Sequence, residues 1–258
     1  MGVRRRLSVA WRRLLPGVPL PIRTSPGLWW IARGDSIDAQ LVEGVFEVAD
    51  RALVLDLLRP GMTVLDIGAN AGIYTMTAAT RVGAAGRVIA FEPSGRERHR
   101  LARHLALNRL TNVHVEVCAL GASDGETELF IAGDLEAGFN SRVAMPGIAM
   151  QRQRVAMCRL DTYAARAGLE RVDFIKIDVE GGERDVLAGG EQLLRRARPM
   201  LLVEIEPARI APWGYPPKAI YDLVAGWGYE WSAMTDEGLQ PLATAPAEFT
   251  GNYFARPR

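Results

Sequence analysis

Val64-Leu65-Asp66-Ile67-Gly68-Ala69-Asn70-Ala71-Gly72 is the stretch that decides the fold class. Thr63 to Ile67 reads as a short apolar strand that runs into a turn with two glycines, and residues 71–82 read as the helix that follows. Glycine lets the backbone at such a turn approach a ligand at the carboxyl edge of a parallel sheet. The next strand, Arg87 to Phe91, ends in Phe91-Glu92-Pro93, which puts an acid 26 residues after Asp66. A carboxylate there can accept hydrogen bonds from both ribose hydroxyls of an adenosine.

These two features also fit a dinucleotide dehydrogenase, and two details decide against one, leaving an NAD-dependent oxidoreductase as the lesser alternative. The dehydrogenase fingerprint places a pyrophosphate on the helix N-terminus through G-x-G-x-x-G. Here Asn70 stands at the second glycine position and Ile73 at the place where the third is sought. Asp66 ends its strand just ahead of the turn. An anion at that point opposes a pyrophosphate and suits the amino and sulfonium charges of S-adenosylmethionine.

Outward from the turn, strand and helix patterns alternate, as in a mostly parallel sheet covered by helices on both faces. A helix is expected from Pro93 to about Asn108, a third strand over Val113–Leu120, and a helix over Asp161–Ala167. Then come a strand at Val172–Asp178, a helix at Glu183–Arg196, a strand at Met200–Ile205 and a helix at Ala219–Trp227. Two strands near Tyr229–Ala233 and Gly251–Ala255 close the pattern. The rhythm breaks after the third strand, where Glu126–Ile131 and Arg154–Leu160 flank a Gly- and Met-bearing loop. This predicts a β-hairpin insertion at the ligand end of the sheet. Phe139, Asn140, Met145 and Met150 within residues 133–153 either form a lid or face solvent; flexible Met side chains suit varied acceptors. A helix is also expected over residues 46–58, ended by Pro60-Gly61.

The chain's 258 residues, 48% hydrophobic and 24% charged, suit one α/β domain, residues 43–258, behind a basic extension of residues 1–42. Residues 1–23 hold six arginines and no acid, so the remainder is net acidic. Leu7, Trp11, Leu14 and Leu15 fall on one helical face. A basic amphipathic helix over residues 1–15 either makes peripheral contact with an anionic membrane or packs on the domain. Pro16, Pro19, Pro21 and Pro26 predict an irregular connection after it. Two cysteines are too few for a disulfide framework, no apolar run spans a bilayer, and no secretory signal follows the arginines. The expectation is a cytoplasmic chain, with the inner face of the membrane as the place the leader could reach. A net charge of +1 argues against a nucleic acid partner.

The motifs together resemble the FkbM family of S-adenosylmethionine-dependent O-methyltransferases. The resemblance is carried by Asp66-Ile67-Gly68-Ala69-Asn70-Ala71-Gly72-Ile73-Tyr74 and Phe91-Glu92-Pro93. Ala119-Leu120-Gly121, Ser123-Asp124-Gly125, Asn140-Ser141 and Leu160-Asp161 follow in family order. Most specific is Asp173-Phe174-Ile175-Lys176-Ile177-Asp178-Val179-Glu180-Gly181. It covers roughly residues 43–206 and implies a Rossmann-like class I methyltransferase sheet, bound S-adenosylmethionine, and methyl transfer to a hydroxyl, often on a sugar or secondary metabolite. The expected cofactor-binding set is Asp66, Gly68, Asn70, Gly72, Tyr74, Glu92, Pro93, Cys118, Ala119 and Asp178. The expected partner is a small-molecule or glycan acceptor. A methyltransferase-like module that binds without turnover needs a decayed site, and Asp66, Gly68, Glu92 and Asp178 are all in place.

A sugar hydroxyl is a poor nucleophile at neutral pH, so a positioned base or a metal should help. Only Lys176 and Lys218 are lysines among 31 basic residues, and Lys176 lies inside an apolar strand. Alternation puts Lys176, Asp178 and Glu180 on one face, and the strand Leu202–Glu206 repeats the habit with Glu204 and Glu206, beside the first if the two are neighbours as in class I methyltransferases. Asp178, Lys176 and Glu204 are therefore the candidate catalytic residues. Asp178 serves as base or as the partner of Lys176; with Glu204 or Glu206 it could hold a divalent cation; or the acids cap nearby helices. No metal site is assigned. Glu183, in a first helical turn, is expected to cap. His99 and His104 are expected to be exposed on an Arg-rich helix, and His114 lies in a strand; none forms a catalytic constellation.

Overall fold

The computed structural model describes residues 9, 11, 13, 14, 18–235 and 238–258. The membrane-surface helix expected for residues 1–15 otherwise lies outside them. Trp11 is buried and its Nε1 donates to Val18 O at 2.9 Å, while Leu14 is 73% exposed, so those two do not share a packed face. Among the described residues no helix is long and apolar enough to cross a membrane.

The centre of the molecule is β3 (Thr63–Ile67), flanked in parallel by β4 (Arg87–Phe91) on one side and β9 (Phe174–Ile177) on the other. β5 (Val113–Glu116) extends the first side and β10 (Met200–Glu204) the second, both parallel. β13 (Asn252–Pro257), β11 (Tyr229–Thr235) and β12 (Gly238–Leu242) complete the eight strands with antiparallel pairs. Strand order is β12-β11-β13-β10-β9-β3-β4-β5. It reverses direction between β3 and β9, which opens a crevice at the carboxyl ends of those strands.

Period-2 alternation sorts the strand residues to the two faces. Leu65, Ile67, Ile175 and Ile177 bury one face against Tyr163, Val186, Leu194 and Val224. These come from α5 (Leu160–Arg166), α6 (Glu183–Gly189), α7 (Glu191–Ala197) and α9 (Lys218–Gly226). Val64, Val88 and Phe174 bury the other against Val54, Met76 and Leu101 of α2 (Val48–Leu57), α3 (Ile73–Val82) and α4 (Gly95–Leu107). Asp66 and Lys176 lie on this second face in register with each other, two polar side chains within an apolar layer.

Several sequence expectations are corrected. The segment after the leader is not irregular: β1 (Leu20–Thr24) and β2 (Leu28–Ala32) form an antiparallel ribbon, which tolerates Pro21 because each of its strands is an edge. α1 (Ser36–Glu43) follows, capped by Asp35, which accepts from Asp38 N at 2.7 Å, and closed by Gly44 at φ 79°. Leu28, Trp30, Ala32 and Leu41 of this segment join the same core as Val54, Met76 and Leu101. The strand expected to run to Leu120 stops at Glu116, where its partner β4 ends. The chain bends at Val117-Cys118, and β6 (Ala119–Leu120) joins a separate three-stranded sheet. In that sheet the expected insertion hairpin is present as β7 (Gly125–Ala132) and β8 (Met150–Cys158). The helix expected over Glu183–Arg196 is broken at Gly190 into α6 and α7. A short α8 (Pro207–Ile210) follows β10.

Candidate active site

The crevice at the carboxyl edge is a cleft of about 440 Å³. At one end the glycine turn is fixed from below, with Gly68 N and Ala69 N both donating to Phe91 O at 3.0 Å. Gly68 has φ 85°, and a Cβ there would fall 1.8 Å from Asp178 O, so only glycine lets the turn meet the end of β9. Asn70 takes a left-handed φ of 49°, and its Oδ1 accepts from Ala71 N at 2.6 Å. Glu92 is buried, with Oε2 accepting from Asn70 N and Oε1 from Ser94 N, each at 2.8 Å. Burial raises its pKa to about 7 despite those two bonds. Asp66, also buried, accepts from Thr75 Oγ1; burial pushes its pKa up while the Lys176 ammonium pulls it down, and burial prevails.

The other end is built by β9 and β10. Lys176 is buried and its Nζ donates to Asp178 Oδ2 at 2.7 Å, lying 4.5 Å from the centre of the Tyr74 ring. Burial alone would lower the Lys176 pKa; Asp178, Glu47 and Asp66 outweigh it and raise it, so the ammonium is permanent. One oxygen each of Asp178, Glu180 and Glu204 lie within 4.8 Å of one another. Burial, then the neighbouring carboxylates, drive the Glu180 and Glu204 pKa values well up. Glu180 sits at φ 57°, a conformation non-glycine residues seldom adopt, and the surroundings hold it there. Its carbonyl accepts from Ser141 Oγ at 2.9 Å and Trp213 Nε1 at 3.1 Å, and its carboxylate pairs with Arg209 Nε at 3.0 Å. Glu183 Oε1 accepts from Val179 N and Gly181 N, so it fastens the loop ahead of its helix, as a capping acid should.

Of the sequence-derived set, Asp66, Gly68, Asn70, Tyr74, Glu92, Pro93, Cys118, Ala119, Lys176, Asp178 and Glu204 all line the cleft. Gly72 does not: at φ 96° it packs on Leu101, where a Cβ would meet Leu101 Cδ1 at 2.2 Å, so its role is to seat α3 on α4. Glu206 lines the cleft, yet the close cluster of acids takes Glu180 in its place. His104 is buried rather than exposed. Its Nε2 accepts from Ile31 N, so Nδ1 carries the hydrogen donated to Ala71 O, and the ring stacks on Trp30 at 4.0 Å. Burial lowers its pKa to about 4, and it ties the β1–β2 ribbon to the glycine turn. The insertion reaches the cleft through Phe139, Asn140, Ser141 and Arg142; Met145 is buried instead and Met150 lies off the cleft. Missed altogether were Glu47, which accepts from Tyr74 Oη at 2.6 Å, Phe46, and the α1 residues Ser36, Ile37 and Gln40. The acid of Glu47 at the start of a helix was the one available signal.

Residues 66–230 match the family model described as the methyltransferase FkbM domain. The chain belongs to the FkbM methyltransferase family. S-adenosylmethionine is the cofactor of these enzymes. The FkbM chain is 28% identical over 221 residues to the AMB antimetabolite synthetase AmbE of Pseudomonas aeruginosa; the match spans 71% of this chain and 10% of the synthetase. It is 27% identical over 201 residues to the 2-O-methyltransferase NoeI of Sinorhizobium fredii, over 74% of this chain and 81% of NoeI. A solved structure of methyltransferase FkbM from Methylobacillus flagellatus has a TM-score of 0.48 at 14% identity, over 84% of this chain and 54% of that one.

Proposed function

We propose that this chain moves the methyl group of S-adenosylmethionine to a hydroxyl of a sugar, glycan or glycosylated secondary metabolite, with Asp178 as the general base. The observation that carries the reading is the Lys176–Asp178 pair at the reversal point of the sheet. Lys176 occupies Asp178 Oδ2 and leaves Oδ1 for an incoming hydroxyl. Bound S-adenosylmethionine would supply an electrophilic methyl group to the acceptor oxygen and depart as S-adenosylhomocysteine. Asp178 would take the proton of the acceptor hydroxyl as its oxygen gains the methyl group. Glu92 would take the ribose hydroxyls and Asp66 the amino group, with Pro93, Cys118 and Ala119 along the adenosine.

An oxygen acceptor is supported by the similarity to NoeI, a 2-O-methyltransferase. A polyhydroxylated one is supported by the lining beyond Asp178. There Glu204 and Glu206 offer polar partners to hydroxyls, and Trp213 and Phe139 add apolar surface beside Arg142 and Arg209, which lie over their rings. A second reading rests on the closeness of Asp178, Glu180 and Glu204, a set of hard oxygen donors able to hold a divalent cation that binds the acceptor hydroxyl. The test is methyl transfer from isotope-labelled S-adenosylmethionine to a panel of glycosides, with and without a chelator. Label in a methyl ether that survives chelation supports the base; activity lost to chelation and restored by magnesium or manganese supports the metal. Label found only on nitrogen, or on nucleic acid, contradicts the proposal.

A further inference from the structure

The chain's two cysteines, Cys118 and Cys158, are both free thiols and lie 40 residues apart, yet their Sγ atoms are 3.5 Å from each other. The bend after β5 brings them together: it sends β6 alongside β8, pairing Ala119 with Met157 and Leu120 with Cys158. Their surroundings differ. Cys118 is half-buried and lines the cleft beside Ala119, on the wall assigned to the adenosine, whereas Cys158 is buried behind it. The thiol–thiol hydrogen bond lowers the Cys118 pKa and raises that of Cys158, which makes Cys118 the more acidic thiol of the pair. The methyl transfer gives the Cys158 sulfur no task and asks of Cys118 only that it line the adenosine.

We propose that Cys118 and Cys158 form a reversible intramolecular disulfide when a hydroperoxide reaches Cys118 through the cleft, and that the oxidised pair weakens S-adenosylmethionine binding. In the first step the Cys118 thiolate attacks one peroxide oxygen, the O–O bond breaks, and a sulfenic acid forms with hydroxide as the leaving group. The Cys158 sulfur then attacks Cys118 and water departs. Two thiols have lost two electrons and two hydrogens, and hydrogen peroxide has become two waters. The bond needs the sulfurs at about 2.05 Å, so roughly 1.5 Å of approach is required. Cys158 is held in β8, and its carbonyl accepts from Gly121 N at 3.1 Å. Cys118 lies in the bend between two strands, so the movement falls there, on the cleft wall. The pairing stands on geometry alone; the loss of affinity also rests on the cofactor reading above.

The test uses the full chain treated with hydrogen peroxide and followed by intact mass, thiol titration and calorimetry with S-adenosylmethionine. The parent should lose 2 Da and both titratable thiols without dimerising, and recover them with dithiothreitol. Cys158→Ser should instead give a sulfenic acid that dimedone traps, and before oxidation should bind S-adenosylmethionine as the parent does. Saturating S-adenosylmethionine should slow thiol loss, and the oxidised parent should bind it severalfold more weakly. Retention of both thiols, or disulfides found only between chains, overturns the pairing. A disulfide that leaves S-adenosylmethionine affinity unchanged overturns the link to the cofactor. A chain that forms the disulfide and binds no S-adenosylmethionine in either state contradicts the cofactor reading, and with it that link.

Discussion

At the end of the cleft assigned to the cofactor, Glu92 is buried with each oxygen receiving a backbone N–H, whereas at the acceptor end Asp178, Glu180 and Glu204 face one another, with Lys176 and Arg209 as the nearby cations. The first arrangement is closed on itself and preorganised to receive two more donors. The second concentrates negative charge where a proton has to be accepted. Peptide groups fix a carboxylate for binding; a buried ammonium on one oxygen fixes Asp178 with the other oxygen turned to the cleft.

The contrast is broken most easily at Asp178. Asp178→Asn is nearly isosteric and should lower the single-turnover methylation rate by about 10² to 10⁴, the usual worth of a positioned base. Its S-adenosylmethionine affinity, read by calorimetry, should change far less. The opposite profile belongs to Glu92→Ala, which should weaken S-adenosylmethionine binding by roughly 1.5 to 3 kcal/mol, the range for hydrogen bonds to a charged group.

The two ends also differed in how legible they were in the sequence. The cofactor end is written locally: Asp66, Gly68, Asn70 and Glu92 stand within two strand–turn units, and their spacing alone brings them together. Lys176 and Asp178 could be read in the same way, because two residues on one strand share a face. The pairing of β9 with β10, expected from the family, then brings Glu204 to them. The rest of the acceptor wall is assembled from afar. Ser36 and Gln40 come from α1, Ser141 from the insertion and Trp213 from beyond β10, and no periodicity encodes those meetings. His104 was misread and Gly72 lies off the cleft for one reason: tertiary packing against Trp30 and Leu101, invisible in local pattern, places them. The prolines at 19, 21 and 26 hid the β1–β2 ribbon because they signal turns more loudly than edge strands.

A pH series sharpens the comparison. The ribose hydroxyls need Glu92 ionised, and its pKa in the ligand-free cleft is about 7. S-adenosylmethionine affinity should therefore fall by up to about tenfold from pH 8 to pH 6, and Glu92→Gln should flatten that profile. Stability of the ligand-free chain should run the other way. The raised pKa values of Glu92 and Glu183, each about 7, contribute stability that is present below the ordinary carboxylate value of 4.5 and is lost as pH rises through 7. Denaturant midpoints at pH 5 and pH 8 read this directly, and Glu92→Gln should narrow the difference between them.

The smallest effect is expected at the mouth of the acceptor end. Trp213→Phe keeps an aromatic face but removes the indole N–H that clamps Glu180 O. The loss of one neutral hydrogen bond, about 1 kcal/mol, should raise the acceptor KM severalfold. S-adenosylmethionine affinity should stay at the parental value.

The division of the cleft into a binding end and a reacting end meets its most direct test in single-turnover rates measured at rising S-adenosylmethionine concentration for Glu92→Ala and Asp178→Asn side by side. Glu92→Ala should climb to near the parental rate once the cofactor saturates it, while Asp178→Asn should stay slow at every concentration. A Glu92→Ala plateau as low as that of Asp178→Asn, or an Asp178→Asn rate that recovers with cofactor, would contradict the account.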